Sequence, residues 1–151
     1  MRRGRIWFLT VLAFTLMAGV TLWADDIADH RSCAFCGMDR LTYGYSRALV
    51  RFADGTQEAT CSLNCAVFKI DEKKQTPVKE LLVADHDTRQ LVAAAKAYWV
   101  IGGDERGVMT RRPKWAFADQ RAAEHFVQEH GGSRVDWEKA LHAAREDAGL
   151  E

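Results

Sequence analysis

Proline is almost missing from this chain, with two residues in 151. Net charge is missing altogether, since 21 basic residues balance 21 acidic ones. Cysteine is confined to four residues. Each shortage excludes something. With 48% apolar residues and so little proline, the chain is not a disordered segment. A neutral chain offers no electrostatic footprint for nucleic acid. There is no serine–histidine–carboxylate arrangement, no phosphate-binding glycine loop and no paired-carboxylate motif. Nothing therefore argues for catalysis, and the chain is read as a non-enzyme without a small-molecule substrate. No cysteine stands near the end of the opening apolar run, so the attachment residue of a bacterial lipoprotein is lacking.

What is present begins with Met1-Arg2-Arg3-Gly4-Arg5, a short basic opening. Residues 6–23 are apolar apart from Thr10, Thr15, Thr21 and Gly19, and Ala24 precedes the acidic pair Asp25-Asp26. This is the layout of an export signal over residues 1–24, with cleavage expected after Ala24 and a periplasmic destination. The run also reaches the lower limit of about 17–25 residues for a membrane-spanning helix, so an uncleaved anchor through residues 6–23 is the alternative. The charged flanks argue against a buried core helix. Without Arg2, Arg3 and Arg5 the mature form carries 18 basic and 21 acidic residues. In an exported protein cysteines are commonly oxidised, and four of them allow three pairings.

Residues 45–52 alternate loosely and favour a strand, and Asp54-Gly55 is a hairpin turn signal leading to a return strand over 56–60. Ser62 caps a helix that runs through Cys65, Ala66, Val67, Phe68 and Ile70, and Leu81-Leu82-Val83 opens another strand. The order recurs further on. Tyr98-Trp99-Val100-Ile101 and Trp115-Ala116-Phe117 read as strands, Asp119 caps a helix ending at His130-Gly131-Gly132, and Val135 starts a short strand. Residues 90–96 are balanced between helix and strand. The expected architecture is α+β: one domain over residues 25–151, made of two similar ββαβ halves at about 31–87 and 88–137. Internal duplication would explain the repeat, and an amphipathic terminal helix over 137–148 follows.

The chemistry sits in two cysteine pairs, Cys33-Ala34-Phe35-Cys36 and Cys61-Ser62-Leu63-Asn64-Cys65. The first offers both sulfurs from one backbone turn; the second spans one helical turn, so its sulfurs share a side. A knuckle, a hairpin and a cysteine pair at a helix start form a treble-clef-like layout suited to Zn(II). Met38 shifts the balance, because a thioether is a good ligand for Cu(I) and a poor one for zinc. Met109 lies in a polar glycine-containing loop with Arg106, Arg111 and Arg112, where a methionine has little core to fill. His30 reads as a tail residue, His86 as a turn residue, and His125 and His130 as helix-end residues. Tyr98, Trp99, Trp115 and Phe117 read as core.

Several stretches together resemble the NosL family. They are Cys33-x-x-Cys36-Gly37-Met38, Phe52-Ala53-Asp54-Gly55 leading into Cys61-Ser62-x-x-Cys65, Ala97-Tyr98-Trp99-Val100-Ile101-Gly102-Gly103, Gly107-Val108-Met109, Ala116-Phe117 and His130-Gly131-Gly132. The resemblance spans nearly all of residues 31–132 in order. It implies a duplicated ββαβ fold and a Cu(I)-binding chaperone serving assembly of periplasmic nitrous oxide reductase. It also implies two partners, a membrane-associated assembly complex and a copper-accepting client enzyme. By the same resemblance Cys36, Met38 and Met109 are copper ligands. Cys33, Cys61 and Cys65 are then further sulfur donors, or a disulfide or zinc brace. A structural zinc module for protein contacts is the alternative, with a thiol–disulfide oxidoreductase behind it.

Overall fold

The computed structural model describes residues 26–150. The apolar run at 6–23 and the expected cleavage point after Ala24 fall outside the described residues. No helix among the described residues is long and apolar enough to cross a membrane. A single short helical turn, α1 (Asp26–Asp29), opens the described chain.

Alternation in β1 (Ala48–Phe52) sends Ala48, Val50 and Phe52 to one buried face. They share a core with Leu63, Ala66 and Val67 of α2 (Leu63–Glu72). The Asp54-Gly55 turn is realised: Gly55 has φ +86°, and the Phe52 amide donates to the Thr56 carbonyl at 2.9 Å. β2 (Gln57–Thr60) and β3 (Val78–Ala84) flank β1 antiparallel, and β4 (Leu91–Ala93) adds to β3. Two boundaries differ from expectation. The first strand opens at Ala48 rather than Tyr45, because the Arg47 guanidinium donates to the Gly44 and Arg89 carbonyls and holds the preceding residues in a turn. β3 starts at Val78 rather than Leu81, since pairing with β1 continues through an irregularity to Phe52. Residues 90–96 contain both candidates: the strand β4, then a 3-10 turn over Ala94–Lys96.

The second sheet contains β5 (Tyr98–Ile101), β6 (Lys114–Phe117) and β7 (Ser133–Val135). α3 (Gln120–His130) lies between β6 and β7, capped by the Asp119 side chain and closed at Gly131. Val135 ends its strand instead of starting it. The strand orders are β2-β1-β3-β4 and β6-β5-β7; the run β2-β1-β3 has the same order as β6-β5-β7, and β4 has no counterpart in the second sheet. The molecule is thus α+β with two antiparallel sheets.

α4 (Trp137–Ala148) ties the sheets together. Its Ala140 and Ala144 enter the first core beside Trp99 and Ala116 of the second sheet, and the Trp99 and Trp137 rings lie 5.5 Å apart. Asp85 adds a second tie by accepting the Ala118 amide at 3.1 Å. Trp99, Trp115 and Phe117 are core residues as expected, but Tyr98, at the first position of β5, is 38% exposed. His86 lies in the turn after β3, as expected, and is also packed. Its ring packs against Tyr45, Trp115, Phe117 and Phe126 in a second core.

Candidate metal centre

The first cysteine pair is shaped by its own backbone. The Cys33 amide donates to the Met38 carbonyl at 2.8 Å and the Gly37 amide to the Cys33 carbonyl at 2.9 Å. Gly37 sits at φ +77°, a left-handed conformation that glycine adopts without strain. The Ala34 amide then bonds the Ala59 carbonyl of β2, which lays this turn beside the strand that ends at Cys61. The Ser62 hydroxyl accepts the Cys65 amide at 3.3 Å, starting α2 with Cys65 in its first turn. Hairpin and cap together deliver the second pair to the first.

All four sulfurs lie within 4.8 Å of one another. Cys36 Sγ is 3.5 Å from Cys61 Sγ and 3.8 Å from Cys65 Sγ, and Cys61 and Cys65 are separated by 3.7 Å. Zinc–sulfur bonds of about 2.3 Å in tetrahedral geometry place sulfurs about 3.8 Å apart. The cluster therefore has the dimensions of a metal site, and all four residues are free thiols. Cys33, Cys61 and Cys65 are buried, Cys36 is half-buried, and the buried Val108 packs against them.

The thiols do not ionise alike. Donation from the Cys61 and Cys65 thiols stabilises the Cys33 thiolate against burial, with help from the Cys36 amide, so Cys33 is held far below its ordinary value. Cys61 and Cys65 are pushed up, chiefly by the Cys33 sulfur beside each. Metal loading would displace their protons.

Met38 is half-buried against the cysteine cluster. Met109 is 47% exposed, in a left-handed conformation at φ +57°. The two methionines, more than seventy positions apart in sequence, line one open cleft of about 1170 Å³ with Tyr43 and Tyr45. The charges around that cleft are mostly answered. His130 meets Asp104 and Glu105, His86 meets Glu105, and Lys114 and Arg112 meet Asp147. Arg112 is held by α4 and is not free for a partner. Arg106 and Arg111 are exposed and have no polar partner among the described residues.

Sequence reasoning missed the support beneath this site. Asp26 accepts from the buried guanidinium groups of Arg40, at 2.6 Å, and Arg47, at 2.8 Å. Arg40 also donates to the carbonyls of His30 and Thr60, fastening the chain on both sides of the first cysteine pair. No local pattern announces such a triad. The only hint is Arg47, a charge at the mouth of an apolar strand.

Comparison with known proteins agrees with this geometry. The crystal structure of the copper chaperone NosL from Shewanella denitrificans superposes with a TM-score of 0.59 at 20% identity. The match covers 76% of this chain and 92% of that one, and at such identity it establishes the fold alone. No curated protein matches the sequence. The family model for NosL matches residues 24–143, which carry all four cysteines and both methionines of the cleft. By that match the chain belongs to the NosL family.

Proposed function

We propose that the protein is an exported Cu(I) carrier that supplies copper for maturation of nitrous oxide reductase. The observation that carries this reading is the cleft that Met38, packed against the cysteine cluster, shares with Met109. Soft sulfur at low coordination number suits Cu(I), and two thioethers give zinc no advantage. Cys36, Met38 and Met109 form the cargo site in this reading. Met109 is the donor most open to solvent, so an incoming ligand from a client has room to attack there. Release then proceeds by exchange of one sulfur for another, with no change in copper oxidation state. Cys33, Cys61 and Cys65 close the buried side. Arg106 and Arg111, beside the cleft, would meet an acidic surface on the assembly complex or the client, speeding encounter and fixing orientation. Residues 1–24 direct the protein to the periplasm, either removed or retained as an anchor.

A second reading rests on the sulfur spacing, which fits Zn(II) held by four thiolates. The two readings part in a competition titration of anaerobic, reduced protein with Cu(I) and Zn(II). Met38→Leu and Met109→Leu should each weaken Cu(I) by more than the ~10–100-fold typical of outer-shell changes, and leave Zn(II) binding unchanged. Unchanged Cu(I) affinity in both variants would assign the site to the four cysteines alone.

A further inference from the structure

Met109 sits in an exposed loop, in a backbone conformation that a non-glycine side chain adopts at a cost. Such a conformation persists only where neighbouring contacts determine it. On one side of Met109, Val108 is buried against the cysteine cluster. On the other side the chain is fastened to the last turns of α4. The Thr110 hydroxyl lies 2.9 Å from Asp147 Oδ2, and Arg112 Nη2 donates to Asp147 Oδ1 at 2.8 Å. Arg112 Nη2 also meets Glu146 at 2.8 Å and the Ala143 carbonyl at 3.0 Å. Lys114, almost fully buried, reaches the same Asp147 carboxylate and bonds Asn64 Oδ1 of α2 at 2.9 Å. One carboxylate thus gathers three donors, from positions 110, 112 and 114, just after Met109. It also lies past residue 143, where the family match ends.

We infer that Asp147 is a positioning residue for the cargo site: it clamps the loop that holds the Met109 thioether at the cleft shared with Met38. The inference rests on Met109 being a copper ligand. It adds that the C-terminal helix, which contributes no sulfur, sets the copper affinity. Asp147 itself touches no cargo. Its carboxylate holds the Thr110 hydroxyl and the Arg112 guanidinium, and through them the backbone at 109. Without the clamp the left-handed turn relaxes and the third sulfur spends less time at the site.

The test is a double-mutant cycle on the full chain, read by chelator-competition affinity for Cu(I). Asp147→Asn should weaken Cu(I) about tenfold, at the lower end of outer-shell effects. In a Met109→Leu background the same change should have no further effect, because the group it positions is gone. X-ray absorption at the copper edge should show about one sulfur fewer per copper in Asp147→Asn. Should loss of the Lys114 partner unfold that variant, Thr110→Val removes the arm of the clamp next to Met109 while sparing the Lys114–Asp147 pair, and should show the same dependence on Met109. Equal losses in both backgrounds, or no loss in either, would overturn the inference while the Met109 assignment stands. An unchanged affinity in Met109→Leu alone would overturn that assignment, and the inference with it.

Discussion

Arg40 is fully buried, and its guanidinium bonds end on oxygens of Asp26, His30, Ala48 and Thr60. A buried charge held this way depends on its partner. Asp26→Ala leaves two guanidinium groups facing each other without a carboxylate, and should cost about 3–5 kcal/mol in urea unfolding. Acid should act through the same residue. Burial opposes the Asp26 charge, but the Arg47 and Arg40 hydrogen bonds outweigh it and hold the carboxyl below its ordinary value. A depressed folded pKa contributes stability that is present above the unfolded value of about 3.9 and lost as pH falls through the folded one. Unfolding free energies of wild type and Asp26→Asn should therefore converge below about pH 4, and parallel pH profiles would show that the triad is not the acid-sensitive element. At the other end of the site, Gly107 has no room for a side chain: a Cβ there would stand 2.7 Å from the Thr110 carbonyl oxygen. Gly107→Ala should displace the Met109 loop, weakening Cu(I) about tenfold, the scale of an outer-shell perturbation, with little change in Zn(II) uptake.

At the scale of elements, α2 joins fold and site, since its N-cap Ser62 separates Cys61 from Cys65. Ser62→Ala should cost about 1 kcal/mol of stability and loosen the cysteine pair. A denaturation midpoint equal to wild type would mean that the cap bond contributes nothing. The elements most legible in the sequence were those whose ends carry their own signals. The Asp54-Gly55 turn, the Ser62 and Asp119 caps, the glycines after His130 and the terminal helix all depend on neighbouring residues. The starts of β1 and β3 were not legible, because distant contacts decide them: Arg47 reaching Arg89, and pairing that persists past an irregularity. The turn at His86 was legible but its packing was not, for the same reason: the rings around it come from three separate segments. The four sulfurs were legible as a group, because a hairpin of this length must return its second pair to its first.

For the whole molecule, the decisive fact is the meeting of two loops from the two sheet units. Met38 belongs to the turn before the first sheet and Met109 to the connection between β5 and β6, and they face one cleft. Nothing local predicts that shared cleft; it comes from the packing of the two sheets together with α4. The Asp147 clamp was invisible in sequence, since it joins residues more than thirty positions apart that carry no motif. In the proposed reading, the free arginines by the cleft and the sulfur site serve the handing of a soft ion to another protein. Transfer itself is the most direct measurement. Protein loaded with one Cu(I) and freed of excess metal is mixed anaerobically with metal-free nitrous oxide reductase, and copper in the separated partners is counted. The account predicts that copper moves to the enzyme from wild type, and moves with far lower yield when Cys36→Ser and Met109→Leu are combined. Copper that stays on the wild-type protein, while the same enzyme loads from free Cu(I), would contradict it.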